Sequence, residues 1–214
     1  MPERHYDTLD RMILGLDRGL RTIFGRQSGS ERTNPADGIE DYPLSKSEQR
    51  LSGGLMRVNH AGEVSAQALY QGQGLSAGDP GVRASMKQSA AEEVDHLHWC
   101  EQRIGELGGH TSYLNPLWYL GSFTIGAIAG LCGDKWSLGF IAETERQVVR
   151  HLQGHLQRIP GGDLRSRAII EQMQADEGHH ATVALAAGAA ELPGAVKQAM
   201  RLTSRVMTGT AYWI

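Results

Sequence analysis

Cysteine is nearly absent from this chain, with two residues in 214, and neither sign of charge dominates. Cys100 and Cys132 alone cannot build a disulfide framework or a thiolate metal site, and a reducing compartment suits them. Lysine and arginine number 21 against 24 acidic residues, giving a formal charge of −3 and a pI near 6.3. No basic field exists to attract nucleic acid, so no nucleic-acid partner is expected. The opening MPERHYDTLDRM carries acidic residues and no long apolar core, which argues against a secretory signal or a transit peptide. A cytoplasmic protein is the expectation. Sustained strand-like alternation is also missing, so the fold class expected is all-α.

One stretch lacks charge altogether. Between Glu106 and Asp134 there is no Asp, Glu, Lys or Arg, and the run contains PLWYLGSFTIGAIAGLCG. Its length would cross a bilayer, but its glycines, Asn115, Pro116 and His110 weaken that reading.

What is present is helical periodicity broken by glycine and proline. Leu9, Ile13, Leu16, Leu20 and Ile23 recur at helical spacing from about Asp7 to Phe24. The breaker-rich GRQSGSERTNPADGIEDYP then reads as a linker over polar surface. Four longer helices are expected at roughly Ser45–Ser76, Pro80–Leu107, Asp134–Ile159 and Gly162–Ala190, separated by GLSAGDPG, GELGGH and RIPGGD and ended by ELPG. A final amphipathic helix covers Gly194–Ile214. Short links pair these four helices into two antiparallel hairpins, and the uncharged stretch is the long crossover between them, the layout of a ferritin-like four-helix bundle. The expected organisation is one domain over 1–214: an N-terminal helix in 1–26, a linker in 27–44, the bundle in 45–190 and a C-terminal helix in 194–214.

Two Glu-x-x-His motifs stand out, Glu93/His96 and Glu177/His180. A three-residue spacing puts both side chains on one helix face, near enough to share a metal. With fourteen Glu and nine His, about 0.6 such pairs arise by chance, so one motif says little. The symmetry says more: Glu63 precedes Glu93 by thirty residues, and Glu145 precedes Glu177 by thirty-two. Each hairpin thus offers Glu from one helix and Glu-x-x-His from its partner, a set that binds two divalent ions in ferritin-like di-iron and di-manganese proteins. The candidate ligands interrupt otherwise apolar stripes, such as Val82, Met86, Ser89, Glu93, His96, Cys100 and Ile104. A buried carboxylate needs a partner, and a metal pair supplies one. Asp95/His98 and Asp176/His179 share the spacing but sit off these stripes. Asp176 and Glu92, each just before a candidate Glu ligand, are expected either to touch an imidazole N–H of the opposing motif or to be surface charges.

The segments MRVNHAGEVSAQALYQGQ, AEEVDHLHWCEQRI, ETERQVVRHL and DEGHHATVAL resemble the demethoxyubiquinone hydroxylase family of ubiquinone biosynthesis. The N-terminal DRMILGLDRGLRTIFG is similar to the bacterial branch, and the likeness spans most of the chain. The resemblance implies an oxygen-dependent di-iron monooxygenase, with two iron ions held by Glu63, Glu93, His96, Glu145, Glu177 and His180. It also implies a membrane-borne isoprenoid quinol substrate, hydroxylated on its ring, and a peripheral place on the inner face of the cell membrane of a bacterium. His151 matches a family histidine and is a catalytic candidate, although Leu152 replaces the tyrosine that follows it in animal members. No dinucleotide fingerprint is present, so electrons come from the quinol, from NADH or from a biosynthetic partner. The N-terminal helix, Leu117–Leu131 and the Tyr212-Trp213-Ile214 end are the candidate membrane surfaces. The small-residue run Gly126–Gly130 suits helix contact in a homo-oligomer. The alternatives are a ferritin-like iron-binding or detoxifying protein, a di-metal peroxidase, or a quinone-lipid carrier.

Overall fold

Ser45 starts the first long helix with a reciprocal capping box: its side chain accepts from the Glu48 N–H, and the Glu48 carboxylate accepts from the Ser45 N–H. The computed structural model describes residues 8–25 and 32–214. Among these the helices are α1 Thr8–Phe24, α2 Lys46–Gly74, α3 Pro80–Glu106, α4 Asn115–Leu131, α5 Asp134–Leu156, α6 Leu164–Ala186 and α7 Gly194–Ala211, with no strand. The expected starts before Thr8 and the linker positions 26–31 lie outside the described residues. Asp79 caps α3 through Gly81 and Val82, with Pro80 in its first turn, and Asp163 caps α6 through Ser166.

Two helices end where glycine enters the left-handed region. Gly108 at φ 70° lets the Gly109 N–H return to the Ile104 carbonyl; Gly188 at φ 94° lets the Ala189 N–H return to that of Ala184. The second closure stops α6 at Ala186, before the expected Ala190. The chain then runs beside α5, where the Ala190 N–H donates to the Lys135 carbonyl.

Helices α2 and α3 form one hairpin and α5 and α6 the other, with α2 against α5 and α3 against α6. That is a ferritin-like bundle. Its interior holds two apolar clusters. One contains Leu55, Met56, Trp99, Ile104, Leu152, Ile170 and Met173; the other contains Tyr70, Val82, Met86, Leu138, Ile141 and Ala184. Along each of the four helices the candidate ligands fall between these clusters in sequence.

The crossover differs from the simple link read in the sequence, because most of it is helix α4. It runs parallel to α2, from Asn115 beside His60 to Gly130 beside Gln73. A Cβ on Gly126 would stand 2.4 Å from the Leu69 carbonyl oxygen, and one on Gly72 would stand 2.3 Å from that of Phe123. Glycine at both positions lets the two backbones touch. The two glycines of the Gly126–Gly130 run, read as suited to contact between copies, therefore face α2 of this chain, while Ile128 between them is exposed. No helix among the described residues is long and apolar enough to cross a membrane.

Apolar side chains remain on the outside. Ile13, Leu16, Leu20 and Phe24 of α1, Leu117, Leu120, Ile128 and Leu131 of α4, and Leu202, Val206 and Trp213 in or after α7 are exposed. The linker also departs from a spacer over polar surface. Asn34 bonds Gln102, Ala36 is buried in the core, Arg165 donates to the Ile39 carbonyl, and Asp41 pairs with the buried Arg103. Residues 32–41 are thus fastened onto α3 and α6.

Candidate metal centre

The four helices bring the six candidate ligands together. Glu63 comes from α2, Glu93 and His96 from α3, Glu145 from α5, and Glu177 and His180 from α6, all of them buried. Glu63, Glu93, His96 and Glu177 offer donor atoms within 4.8 Å of one another. Glu93, Glu145, Glu177 and His180 form a second such group, so Glu93 and Glu177 belong to both.

Both imidazoles turn Nδ1 inward. His96 Nδ1 lies 3.2 Å from Glu93 and 3.4 Å from Glu177, and His180 Nδ1 lies 3.1 Å from Glu177 and 3.3 Å from Glu93. The outer nitrogens meet carboxylates of the opposing hairpin. His96 Nε2 is 2.9 Å from Asp176 Oδ2, and His180 Nε2 is 2.8 Å from Glu92 Oε2. An ionised carboxylate can only accept, so Nε2 carries the hydrogen and the Nδ1 lone pair is left for a metal. Asp176 and Glu92 are imidazole partners rather than plain surface charges.

Four carboxylates in so small a buried space repel one another and compete for protons. Burial, then the charge of Glu93, pushes the Glu63 carboxyl well above its usual range; burial, then Glu177 and Glu93, does the same to Glu145. Burial opposes charge on the imidazoles, but the carboxylate bonds override it, raising His96 strongly and His180 to about 12. Glu93 goes the other way, because burial is outweighed by bonds from His180 and His96. Protons here do the work that divalent cations do better. Glu93 Oε1 is buried inside the cluster, 3.3 Å from His180 Nδ1. Oxygen and imidazole donors suit a pair of divalent ions, and Glu93 and Glu177 would serve both positions.

One partner is not marked by any motif. The Tyr70 hydroxyl donates to Glu145 Oε1 at 2.7 Å across the two hairpins. Tyr70 lies seven residues after Glu63, on the same face of α2, and that spacing is the available sequence signal. Its equivalent on α5 is Leu152, which is buried in the apolar cluster. Tyr70 and Ile141 also separate two clefts. Each has a volume of about 10 Å³, room for about one water molecule; one is lined by Met86, Leu138 and His180, the other by Leu69, Phe140 and Glu145.

The remaining candidates fall elsewhere. His151 belongs to neither ligand group; its ring centroid is 4.0 Å from that of His155. Burial and the charge of Arg158 lower it to about 4. His179 is exposed, His98 half-buried, and neither joins a group. Asp95, read as off the buried stripe, is in fact buried, since the stripe on α3 is wider than its apolar positions suggest.

Known proteins resemble this chain along its whole length. The model of the family described as ubiquinone biosynthesis protein COQ7 matches residues 50–211. A 3-demethoxyubiquinol 3-hydroxylase of Nitrosococcus oceani is 59% identical over 214 residues, all of both chains. The enzyme of that name from Nitrosomonas europaea is 54% identical, covering 96% of this chain and 99% of its own. That from Acinetobacter baumannii is 53% identical, covering 99% of this chain and 100% of its own. Among solved structures, a dodecameric thioferritin, the bacterioferritin-related protein of Bacteroides fragilis, aligns with TM-score 0.54 at 17% identity, covering 75% of this chain and 90% of that one, which bears on the fold alone. On the family match and the full-length relatives together, the chain belongs to the COQ7 family of ubiquinone biosynthesis proteins.

Proposed function

We propose that this protein is a di-iron monooxygenase that uses O2 to hydroxylate the ring of demethoxyubiquinol, acting at the inner face of a bacterial membrane. The observation that carries this reading is the pair of interlocked ligand groups sharing Glu93 and Glu177, in a chain 59% identical along its whole length to a 3-demethoxyubiquinol 3-hydroxylase. Glu63, Glu93, His96, Glu145, Glu177 and His180 would hold the ions, and carboxylate with neutral imidazole is a donor set that suits iron. When bound, two one-electron metals reduce O2 together, which overcomes its slow reaction with closed-shell organic molecules.

The chain's own residues fix where that chemistry can happen. Asp176 and Glu92 hold each imidazole in the tautomer and rotation that leave Nδ1 free to bind. Tyr70 holds the Glu145 carboxylate through its hydroxyl. The apolar clusters on either side keep water from the cluster, so oxidising equivalents reach the ring rather than solvent. Met86, Leu138 and Ile141 line the space beside His180, and Leu69, Phe140 and Ile141 line that beside Glu145, so an apolar wall borders the centre on this side. A long isoprenoid tail keeps such a substrate in lipid, and the exposed apolar stripes of α1 and α4 are the surface offered to it. Iron storage alone would leave those stripes without a purpose.

The test is anoxic loading of the full chain with Fe2+, followed by a reductant, a short-tail demethoxyubiquinol and isotopically labelled O2. One labelled oxygen atom in the product, dependent on iron, is the expected result. Peroxide consumption with no hydroxylated product would instead favour the peroxidase reading.

A further inference from the structure

The two halves of the centre are near copies of each other in their ligands, but not in what stands behind them. Asp176, behind His96, accepts from Arg32 Nη2 at 2.7 Å on the oxygen that also meets His96, and from Gln172 Nε2 at 2.9 Å on the other. The Arg32 guanidinium is held there from a second side, 5.0 Å from the centre of the Trp99 ring, which in turn lies 5.4 Å from the His96 ring. Glu92, behind His180, has the Gln88 amide at 3.3 Å, and among the described residues no lysine or arginine pairs with it.

We infer that the two metal positions are unequal, with the His96 position the weaker, and that Arg32, a positioning and tuning residue from the strap before α2, sets the difference. The inference rests on the metal-binding reading above. A carboxylate neutralised by a guanidinium draws less on the imidazole N–H, so the inward nitrogen is a poorer donor. The arginine charge also raises the potential felt by a cation at that position. Glu92 keeps its charge and strengthens His180 as a donor. Tyr70 works in the opposite sense on Glu145, but a neutral hydroxyl dipole is a smaller influence than a full cation. Arg32 is about one-third exposed, at 35%, so water screens part of its effect.

Co2+ binding to the full-length protein, measured anoxically against a competing chelator, tests this. His180→Ala isolates the His96 position, and His96→Ala isolates the other. In the His180→Ala background, Arg32→Gln should tighten Co2+ about three- to tenfold, as expected for removing one partly screened charge. Arg32→Lys, which keeps the charge, should change it less than about twofold. In the His96→Ala background, Arg32→Gln should leave affinity unchanged. Helicity and the urea midpoint of Arg32→Gln show whether the strap still docks. An equal change at both positions, or no tightening at the His96 position, overturns the inference while leaving the metal reading intact. Fewer than two Co2+ per wild-type chain would overturn both.

Discussion

The hydroxyl of Tyr70 on α2 donates to Glu145 on α5 at 2.7 Å, so a residue of the first hairpin orients a candidate ligand of the second. Both groups are buried, and burial together with the Glu145 charge pushes the phenol well above its usual range, so it remains a donor. Tyr70→Phe deletes this bond and keeps the ring. The expected cost is about 1 kcal/mol of stability, with turnover falling more than substrate affinity, because the carboxylate is misplaced rather than the substrate. Equal kcat in the two proteins would remove Tyr70 from the account.

The contact between α2 and α4 makes a separate prediction. Gly126→Leu places a side chain where the Leu69 backbone already stands, and should destabilise by about 3 kcal/mol or more. Gly121→Ala, on the same helix with nothing near its added Cβ, should be neutral or stabilising by up to about 1 kcal/mol. Thermal unfolding of both variants decides the matter, and a harmless Gly126→Leu would mean the helices do not touch there.

Much of this architecture is legible in the chain. Glycine and proline punctuation marks the four long helices, and the repeated spacing of Glu63, Glu93, His96, Glu145, Glu177 and His180 selects the six side chains that converge. Position in front of a ligand raises Asp176 and Glu92 as partners for the opposing imidazoles, but the packing of the hairpins is what separates that role from a surface charge. The rest depends on register between helices, which periodicity along one helix does not carry. Tyr70 meets Glu145 only because the hairpins cross at that height, and Arg32 reaches Asp176 only because Ala36 and Asp41 fasten its strap. Helix α4 is obscured by its own glycines, which lower helix propensity yet are what allow it to lie on α2.

Acid should destabilise the fold through buried neutral histidine. Burial, with the charges of His151 and Arg158, lowers His155 to about 2. Its folded pKa lies below the unfolded value near 6.5, so the unfolded chain binds the extra proton as pH falls. Stability is therefore full above about pH 6.5 and declines below it, by up to about 1.4 kcal/mol per pH unit for this group. His155→Gln cannot take that proton. The difference in urea midpoint between wild type and His155→Gln should shift in favour of the variant between pH 7.5 and 5.5. An unchanged difference would show that His155 titrates normally.

Membrane attachment through α4 predicts that Leu120→Glu and Ile128→Glu weaken binding. Each removes an exposed apolar side chain from the same stripe and adds a charge. Burying one such side chain contributes about 1.5–3 kcal/mol, so each variant should bind phosphatidylethanolamine–phosphatidylglycerol vesicles about tenfold more weakly or worse. Co-sedimentation measures this, and a double variant that pellets like wild type would move the membrane face away from α4.

Iron stoichiometry in proteins altered at the shared carboxylates tests the central claim most directly. Glu93 and Glu177 each belong to both ligand groups, so Glu93→Ala or Glu177→Ala should empty both positions, whereas Glu63→Ala or Glu145→Ala should impair one. Wild type loaded with Fe2+ should hold two irons per chain and hydroxylate demethoxyubiquinol, and the Glu93 and Glu177 variants should fold, hold almost none and turn over nothing. Folded Glu93→Ala protein that keeps both irons, or that works without them, would contradict the account.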